Sequence, residues 1–394
     1  MSWSVKKLFN GAKRILSACD FVLVGLVLLL CVLGVFILGS IYYNAAPAMA
    51  GQVGTAFRSQ IMWLASGVFV LIFMSLIDYQ WICRFYIPLA AISMIMLVVV
   101  FLIPPMREGL PQRWLHVPGF SPTLQPSEFS KIFMLIFFAK FIDRMQDRIN
   151  SPLVILTMVV MGLVPVFLIF IQPSLSASIL QLSIFVVMIF MSGIKYKYIF
   201  IAIAIILPIA GFLVFDIFRD EHILVHRIFE PFQLENRIKP RFGLNVTPDI
   251  THQSEMSVRA IGSGALFGRG FGENAVTVPL AHNDFIFSTI GAEFGFIGSV
   301  IVILIYFVIV VKCYIAAHRA NSPVGRLLAA GVGTMIGVQT FVHVGVTTWL
   351  LPNTGIPLPF ISAGGSSMWI NLAAVGIVVN IGMKPMRKHL FWDK

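Results

Sequence analysis

The stretch PLAHNDFIFSTIGAEFGFIGSVIVILIYFVIVV, residues 279–311, decides the class of fold, because it contains an apolar run long enough to cross a lipid bilayer. Two carboxylates accompany that run: Asp284 stands at its start and Glu293 lies inside it. A charged side chain at membrane depth is costly unless it is paired. The stretch therefore predicts a membrane helix whose acids have a structural or a chemical role.

The composition of the whole chain indicates that membrane helices make up most of it. Hydrophobic residues account for 58% of the 394 residues and charged residues for 11%, and the mean hydropathy is +0.91. These values are too apolar for a water-soluble domain. Lipid offers no partner for backbone N–H and C=O groups, so each span is expected to be helical. The predicted fold class is all-α, a polytopic membrane protein.

Windows of about twenty apolar residues predict about ten transmembrane helices in a single integral membrane domain, residues 1–394. One large extracytoplasmic loop, residues 219–283, connects the seventh and eighth helices, and loops of that length are typically functional or disordered. The predicted spans are 20–43, 59–77, 86–103, 127–142, 153–171, 173–193, 199–218, 284–311, 327–350 and 367–383.

The lysines and arginines of the connecting segments predict the orientation. With both termini in the cytoplasm, seventeen of these residues lie inside, whereas the short outer loops keep only Arg58, Arg107 and Arg113. This asymmetry follows the positive-inside rule and predicts a multi-pass protein of the cytoplasmic (inner) membrane. It also accounts for most of the net charge of +11, so that no nucleic-acid partner is expected.

A cluster of charges is predicted at the outer interface. In LQPSEFSKIF, residues 124–133, Ser127 is expected to cap a helix start, which places Glu128 and Lys131 three residues apart on one helix face. Asp284 stands at the corresponding depth on another helix that begins outside, so the three side chains could meet. The alternative is that the charges form an ion pair that only holds helices together.

Other polar features favour structural roles. Glu293 lies nine residues after Asp284, about 13.5 Å along a regular helix, so the two carboxylates cannot share one catalytic centre. Glu293 is therefore expected to cap or bridge neighbouring helices. The segment GSGALFGRGFG, residues 262–272, lacks the lysine of a nucleotide-binding loop and favours a turn. Arg58 is either a side chain that snorkels to the interface or a ligand for a lipid phosphate. Arg113 adjoins Trp114, which is also typical of an interfacial aromatic belt.

Five segments in order give a resemblance that covers nearly the whole chain. They are GLPQRWLHVPGFSPTLQPSEFSK, FEPFQLENRI, AIGSGALFGRGFG, HNDFIFSTIGAEFGFIG and PNTGIPLPFISAGGSS. Their order and spacing resemble the SEDS family (shape, elongation, division and sporulation), whose members RodA and FtsW polymerise peptidoglycan. The segments SLIDYQW and TGIPLPF look more like RodA than FtsW.

The resemblance implies a peptidoglycan glycosyltransferase for cell wall biogenesis. Its substrate would be lipid II, the undecaprenyl-diphosphate-linked disaccharide-peptide, at the outer face of the cytoplasmic membrane. The implied role is cell wall elongation and cell shape, with cell division as the alternative. The implied partners are a class B penicillin-binding protein, which is a transpeptidase, other proteins of the elongation or division complex, and membrane lipid.

The resemblance also implies roles for individual residues. Asp284 aligns with the essential aspartate of the family and would act as general base or help to hold a divalent cation, Mg²⁺ or Mn²⁺. Glu128 and Lys131 align with the charged pair of the family, and Lys131 would pair with Asp284 and set its position and acidity. The residues expected to bind substrate are Arg58, Arg113, Gln125, His282 and Ser366.

Two functions from other classes stay open. As a lipid II flippase or transporter, the protein would line a translocation path with its intramembrane charges, although these charges lie at the outer leaflet rather than along the midplane. As a non-catalytic scaffold, it would recruit and activate a transpeptidase.

Overall fold

The computed structural model of the chain describes most of the predicted spans. The residues it describes are 19–43, 47–102, 113–117, 120–172, 174–198, 200–201, 204, 208, 248–273, 276, 278–279, 281–351, 353 and 355–391.

These residues form helices and one small hairpin. The helices are α1 (Phe21–Tyr43), α2 (Pro47–Leu76), α3 (Tyr79–Ile82), α4 (Tyr86–Leu102), α5 (Pro126–Arg144), α6 (Pro152–Ile171), α7 (Leu175–Met191), α8 (Pro248–Ser263), α9 (Ile286–Arg319), α10 (Pro323–Thr347) and α11 (Gly365–Phe391). Strands β1 (Leu115–Val117) and β2 (Phe120–Leu124) pair antiparallel before α5.

The helices confirm the all-α, polytopic membrane fold. Nine of the predicted spans coincide with helices, and the remaining one, 199–218, lies mostly outside the described residues. Seven of the described helices are apolar enough to cross a membrane by length and composition, with α3 and α4 counted together. Helix α5 is not among them because it carries five charged residues, and α7 is short, with 17 residues.

Helices α10 and α11 form the centre of the bundle. Their apolar windows are 78% and 83% buried within the protein, against 22–39% for the other long helices, whose remaining apolar surface is left for lipid. Small residues permit close packing where lipid gives no hydrophobic driving force between helices. A Cβ atom on Gly331 of α10, for example, would overlap Leu135 of α5.

One end of the bundle is closed by polar contacts among helix termini. The hydroxyl of Tyr79 lies 2.9 Å from Oγ of Ser322, and the backbone N–H of Tyr79 donates to Oδ1 of Asn380 at 3.1 Å. Lys312 pairs with Asp20 at 3.1 Å near the same end. The starts of α5, α9 and α11 and the end of α10 lie at the opposite end, which carries the candidate site.

The long connection 219–283 contains more regular structure than the sequence predicted. Residues 219–247 lie outside the described residues, and the part after them forms helix α8 and the turn that follows. A search for apolar windows does not find α8, because this helix is amphipathic and polar. The side chain of Ser257 on α8 donates to the carbonyl of Thr347 at 2.8 Å, which fixes α8 on the end of α10.

Candidate active site

The buried ion pair at the start of α5 forms as the spacing predicted. Lys131 Nζ lies 2.8 Å from Glu128 Oε2, and the two side chains are 1% and 6% exposed. The cap differs from the prediction: Gln125 occupies the N-cap and Pro126 the first turn, so Ser127 is already helical. Proline suits that position because its missing N–H would have no helical partner there.

Lys131 has a second contact that ties the ion pair to an irregular segment. Its Nζ donates to Oε1 of Gln339 on α10 at 3.3 Å, and Nε2 of Gln339 donates to the carbonyl of Pro357 at 2.8 Å. Breaking a buried pair by removing one partner leaves an uncompensated charge. The contacts of Lys131 are thus Glu128 and Gln339, and the predicted pairing with Asp284 is not among them.

Asp284 lies in the turn that precedes α9 and is partly exposed. Its carboxylate lies against the backbone of Gly355: a Cβ atom on that glycine would be 3.1 Å from Oδ2 of Asp284. Gly355 has φ +67°, a backbone conformation that glycine adopts without a steric penalty. The absence of a side chain at position 355 therefore makes room for the carboxylate.

The segment after Gly355, residues 355–363, forms one wall with the turn that carries Asp284. The N–H of Ala363 donates to the carbonyl of His282 at 3.0 Å, and the hydroxyl of Ser362 donates to the carbonyl of Asn283 at 2.7 Å. The hydroxyl of Tyr306 on α9 donates to the carbonyl of Pro359. The first two bonds hold the two residues that precede Asp284, and the third ties the 355–363 segment to α9.

The residues predicted to bind substrate occupy different environments. Arg58 is exposed on α2, and Gln125 is partly exposed at the start of α5. Arg113 Nε donates to the carbonyl of Gln172 at 3.2 Å, which joins the segment before the hairpin to the end of α6.

The remaining two predicted substrate ligands differ in burial. Ser366, in the first turn of α11, is 2% exposed. His282 is partly exposed, and burial lowers its pKa below the usual value, so the imidazole is neutral near pH 7.

Three residues of the site were not singled out from the sequence: Gln339, His343 and Gly355. Two sequence features could have indicated them: a pair of polar residues one turn apart in the apolar helix α10, and a glycine within PNTGIPLPF. His343 is fully buried, with Nδ1 2.7 Å from the carbonyl of Ile356.

The structural roles predicted for Glu293 and the glycine-rich segment are confirmed. Glu293 is buried and accepts a hydrogen bond from Oγ of Ser40 on α1, so it bridges two helices. Helix α9 is broken at Gly295, which has φ 66° and ψ −163°. The turn 264–272 packs backbone to backbone on this break, as in the bond of 3.1 Å from the N–H of Gly270 to the carbonyl of Glu293.

The ligand set for a metal ion is small. The described residues include no group of three or more His, Cys, Asp or Glu side chains that would enclose an ion. Mg²⁺ is commonly bound through one or two carboxylates together with substrate phosphates and water. Asp284 fits that mode of binding, and a cage made of protein ligands alone does not fit the described residues.

Comparisons with known proteins agree over most of the chain. The family model for FtsW, RodA and SpoVE, described as "Cell cycle protein", matches residues 21–386. A relative from Trichlorobacter lovleyi named "Probable peptidoglycan glycosyltransferase FtsW" is 34% identical over 373 residues, which cover 90% of this chain and 92% of the relative. "Peptidoglycan glycosyltransferase RodA" of Mycobacterium bovis is 28% identical over 84% of this chain and 71% of its own.

A solved structure shares the fold. It is a chain of a peptidoglycan synthase complex that coordinates polymerisation and crosslinking, and it superposes with a TM-score of 0.75 at 22% identity. The match covers 95% of this chain and 99% of that chain. The helical bundle described above is therefore an established architecture.

Proposed function

The chain belongs to the FtsW, RodA and SpoVE family of cell cycle proteins, and we propose that it is a peptidoglycan glycosyltransferase that polymerises lipid II into glycan strands. The observation that carries the proposal is the placement of Asp284. This carboxylate is partly exposed at one end of the bundle, on a backbone fixed by bonds to the 355–363 segment. A reacting group held in a fixed geometry lowers the entropic cost of the reaction.

The reaction needs a base and a site for the leaving group. Asp284 takes the proton of the GlcNAc 4-hydroxyl as its oxygen attacks the anomeric carbon of MurNAc. The bond from that carbon to the phosphate oxygen breaks, and its electron pair leaves with the lipid diphosphate. No oxidation state changes in this transfer, so the reaction needs no oxidant or reductant.

Positive charge is needed where the diphosphate departs. Arg58 and Arg113 supply guanidinium groups that suit phosphate oxygens. Gln125, His282 and Ser366 are the proposed polar contacts for the sugars and the diphosphate. A Mg²⁺ or Mn²⁺ ion bound by Asp284 and the substrate would neutralise part of the same charge.

The proposed location is the outer face of the cytoplasmic membrane, with both termini in the cytoplasm. Its support is the distribution of charge: Arg84, Arg319 and Arg326 belong to the end of the bundle opposite Asp284. Positive residues favour the cytoplasmic side. Lipid II would reach Asp284 from the outer leaflet.

The proposed partner is a class B penicillin-binding protein, a transpeptidase, within an elongation or division complex. The structural neighbour belongs to a complex that couples polymerisation with crosslinking. The segments SLIDYQW and TGIPLPF support elongation and cell shape as the role. Cell division is the second candidate, favoured by the relative named FtsW at 34% identity.

The test is lipid II polymerisation by the purified protein with its transpeptidase in proteoliposomes, with lipid II translocation measured in parallel. Wild type is expected to form glycan chains and Asp284→Ala to form none. The matched control is Asp78→Ala, which changes an aspartate that caps α3 through the N–H of Gln80 at the opposite end.

Three outcomes would overturn the proposal. Equal polymer from wild type and Asp284→Ala would remove Asp284 from the mechanism. Translocation without polymer would favour a flippase, and partner binding with neither activity would favour a scaffold.

A further inference from the structure

Helix α10 presents two buried polar side chains to the segment beside Asp284. Gln339 and His343 stand four residues apart, so they share one face of the helix, and both are fully buried. They contact consecutive carbonyls of one segment, those of Pro357 and Ile356, at 2.8 and 2.7 Å. Two side chains of one rigid helix therefore hold two neighbouring peptide units.

The chemistry of these contacts assigns the donors. A carbonyl oxygen only accepts, so the amide nitrogen of Gln339 donates and Nδ1 of His343 carries the proton. Within the described residues, Nε2 of His343 has no hydrogen-bond partner, so the bond to Ile356 is the one that orients the ring. The amide oxygen of Gln339 accepts from Lys131 at 3.3 Å, so Gln339 contacts the ion pair and the segment together.

The held peptide units directly follow Gly355, whose backbone lies against the carboxylate of Asp284. We propose that Gln339 and His343 are positioning residues that clamp Ile356 and Pro357, and thereby set the place of Asp284 relative to the substrate. Gln339 also links the buried pair of Glu128 and Lys131 to this clamp. The inference rests on the proposed function, because it concerns the geometry of its catalytic carboxylate.

The clamp gives Lys131 an indirect role. The ammonium of Lys131 does not need to touch Asp284. Lys131 holds Gln339, and Gln339 holds the carbonyl of Pro357, which lies two residues after Gly355. A clamp that positions the base acts on the chemical step, so its loss lowers kcat and leaves the KM for lipid II nearly unchanged. A contact that only stabilises the fold would lower the amount of folded protein and leave kcat per folded molecule intact.

The first experiment separates the two functions of Gln339. Gln339→Leu removes both contacts, whereas Gln339→Glu keeps an acceptor for Lys131 but loses the donor to Pro357. Both variants are expected to lose about tenfold or more in kcat, with a KM within about twofold of wild type, as for a lost buried hydrogen bond. The matched control is Gln181→Leu, since Gln181 on α7 is 1% exposed but is not part of the clamp, and its kcat is expected to stay within about twofold.

The second experiment uses rescue at position 343. His343→Ala removes the donor and is expected to lower kcat by about tenfold. His343→Asn returns an amide nitrogen near the place of Nδ1, and it is expected to recover most of the rate. Wild-type kcat in Gln339→Glu, or equal loss in His343→Ala and His343→Asn, would overturn the clamp.

The same assay distinguishes the failure of the clamp from the failure of the proposed function. If wild type polymerises lipid II and Asp284→Ala does not, the proposed function stands, and the Gln339 and His343 variants then decide the clamp. Hydrogen exchange provides a readout that does not need activity. The amides of residues 358–363 are expected to exchange faster in Gln339→Leu than in Gln181→Leu, and equal exchange would overturn the clamp even if no variant polymerised lipid II.

Discussion

A single methyl group added at position 355 tests how tightly the backbone of Gly355 packs against the carboxylate of Asp284. In Gly355→Ala the new Cβ would stand 3.1 Å from Oδ2 and 3.6 Å from Cγ of Asp284. Ordinary contacts of this kind begin at 3.4 Å, so the carboxylate or the segment must move by roughly 0.3 Å. The backbone at this position, with φ +67°, is also unfavourable for alanine.

The two effects have different magnitudes. The left-handed backbone costs about 1–2 kcal/mol for a residue with a Cβ, which lowers the stability of the folded state. A displacement of 1 Å at a reacting centre can cost about a hundredfold in rate, so a shift of roughly 0.3 Å corresponds to about fourfold. Gly355→Ala is therefore expected to fold, with somewhat lower stability, and to polymerise lipid II about fourfold more slowly per folded molecule.

The matched control is Gly193→Ala. Gly193 has φ +81°, and a Cβ at that position would meet nothing within 4 Å. It carries the same backbone penalty without contact to Asp284. The assay is the initial rate of glycan formation from lipid II, normalised to protein that elutes as a single folded species. Equal rates in Gly355→Ala and Gly193→Ala would refute the claim that position 355 sets the carboxylate.

The buried ion pair, the glycine turn and the proposed metal ion can each be tested separately. Lys131→Met leaves Glu128 charged and buried, so it is expected to lower the free energy of unfolding by about 3–5 kcal/mol, measured as a lower Tm in detergent. The double variant Glu128→Gln with Lys131→Met should recover Tm without recovering polymerisation. An unchanged Tm in the single variant would contradict the buried pair. Gly268 has a backbone φ of +82°, and in Gly268→Ala the new Cβ would overlap the carbonyl of Glu293, so this variant should have a lower Tm. In Gly262→Ala, on helix α8, the new Cβ would meet nothing within 4 Å, so Tm should not fall. Equal Tm values in the two variants would refute the packing of the glycine turn on the break in α9. A chelator is expected to slow polymerisation by the wild type, and added Mg²⁺ or Mn²⁺ to restore it. The Tm is expected to stay unchanged, because the protein would bind the ion through the single carboxylate of Asp284 and not through a cage of side chains. Full activity in chelator would exclude the ion.

The features that the sequence predicted are those with a local period or a local composition. Apolar windows located α1 and α9, and the spacing of three residues placed Glu128 and Lys131 on one face, because helix geometry alone brings them together. The structural role of Glu293 followed from its distance from Asp284 along the helix. Each inference depended on a rule that holds within one helix.

The contacts around Asp284 could not be predicted in this way. Gln339 and His343 bond to carbonyls 18 and 13 residues further on, in an irregular segment, and no periodicity of the sequence relates these partners. The direct pairing of Lys131 with Asp284 was expected from their common depth at the outer interface and from the resemblance to the family. The structure instead interposes Gln339 and the segment after Gly355, since equal depth in the membrane does not fix the distance between two helices.

The most direct test of the central claim replaces Asp284 by its isostere. Asp284→Asn keeps the shape of the side chain against Gly355 but removes its ability to accept a proton at neutral pH. With the partner transpeptidase present, we expect this variant to bind lipid II with an affinity within a few-fold of wild type and to form glycan chains at least about a hundredfold more slowly. Polymerisation by Asp284→Asn at the wild-type rate would contradict the assignment of Asp284 as the catalytic base.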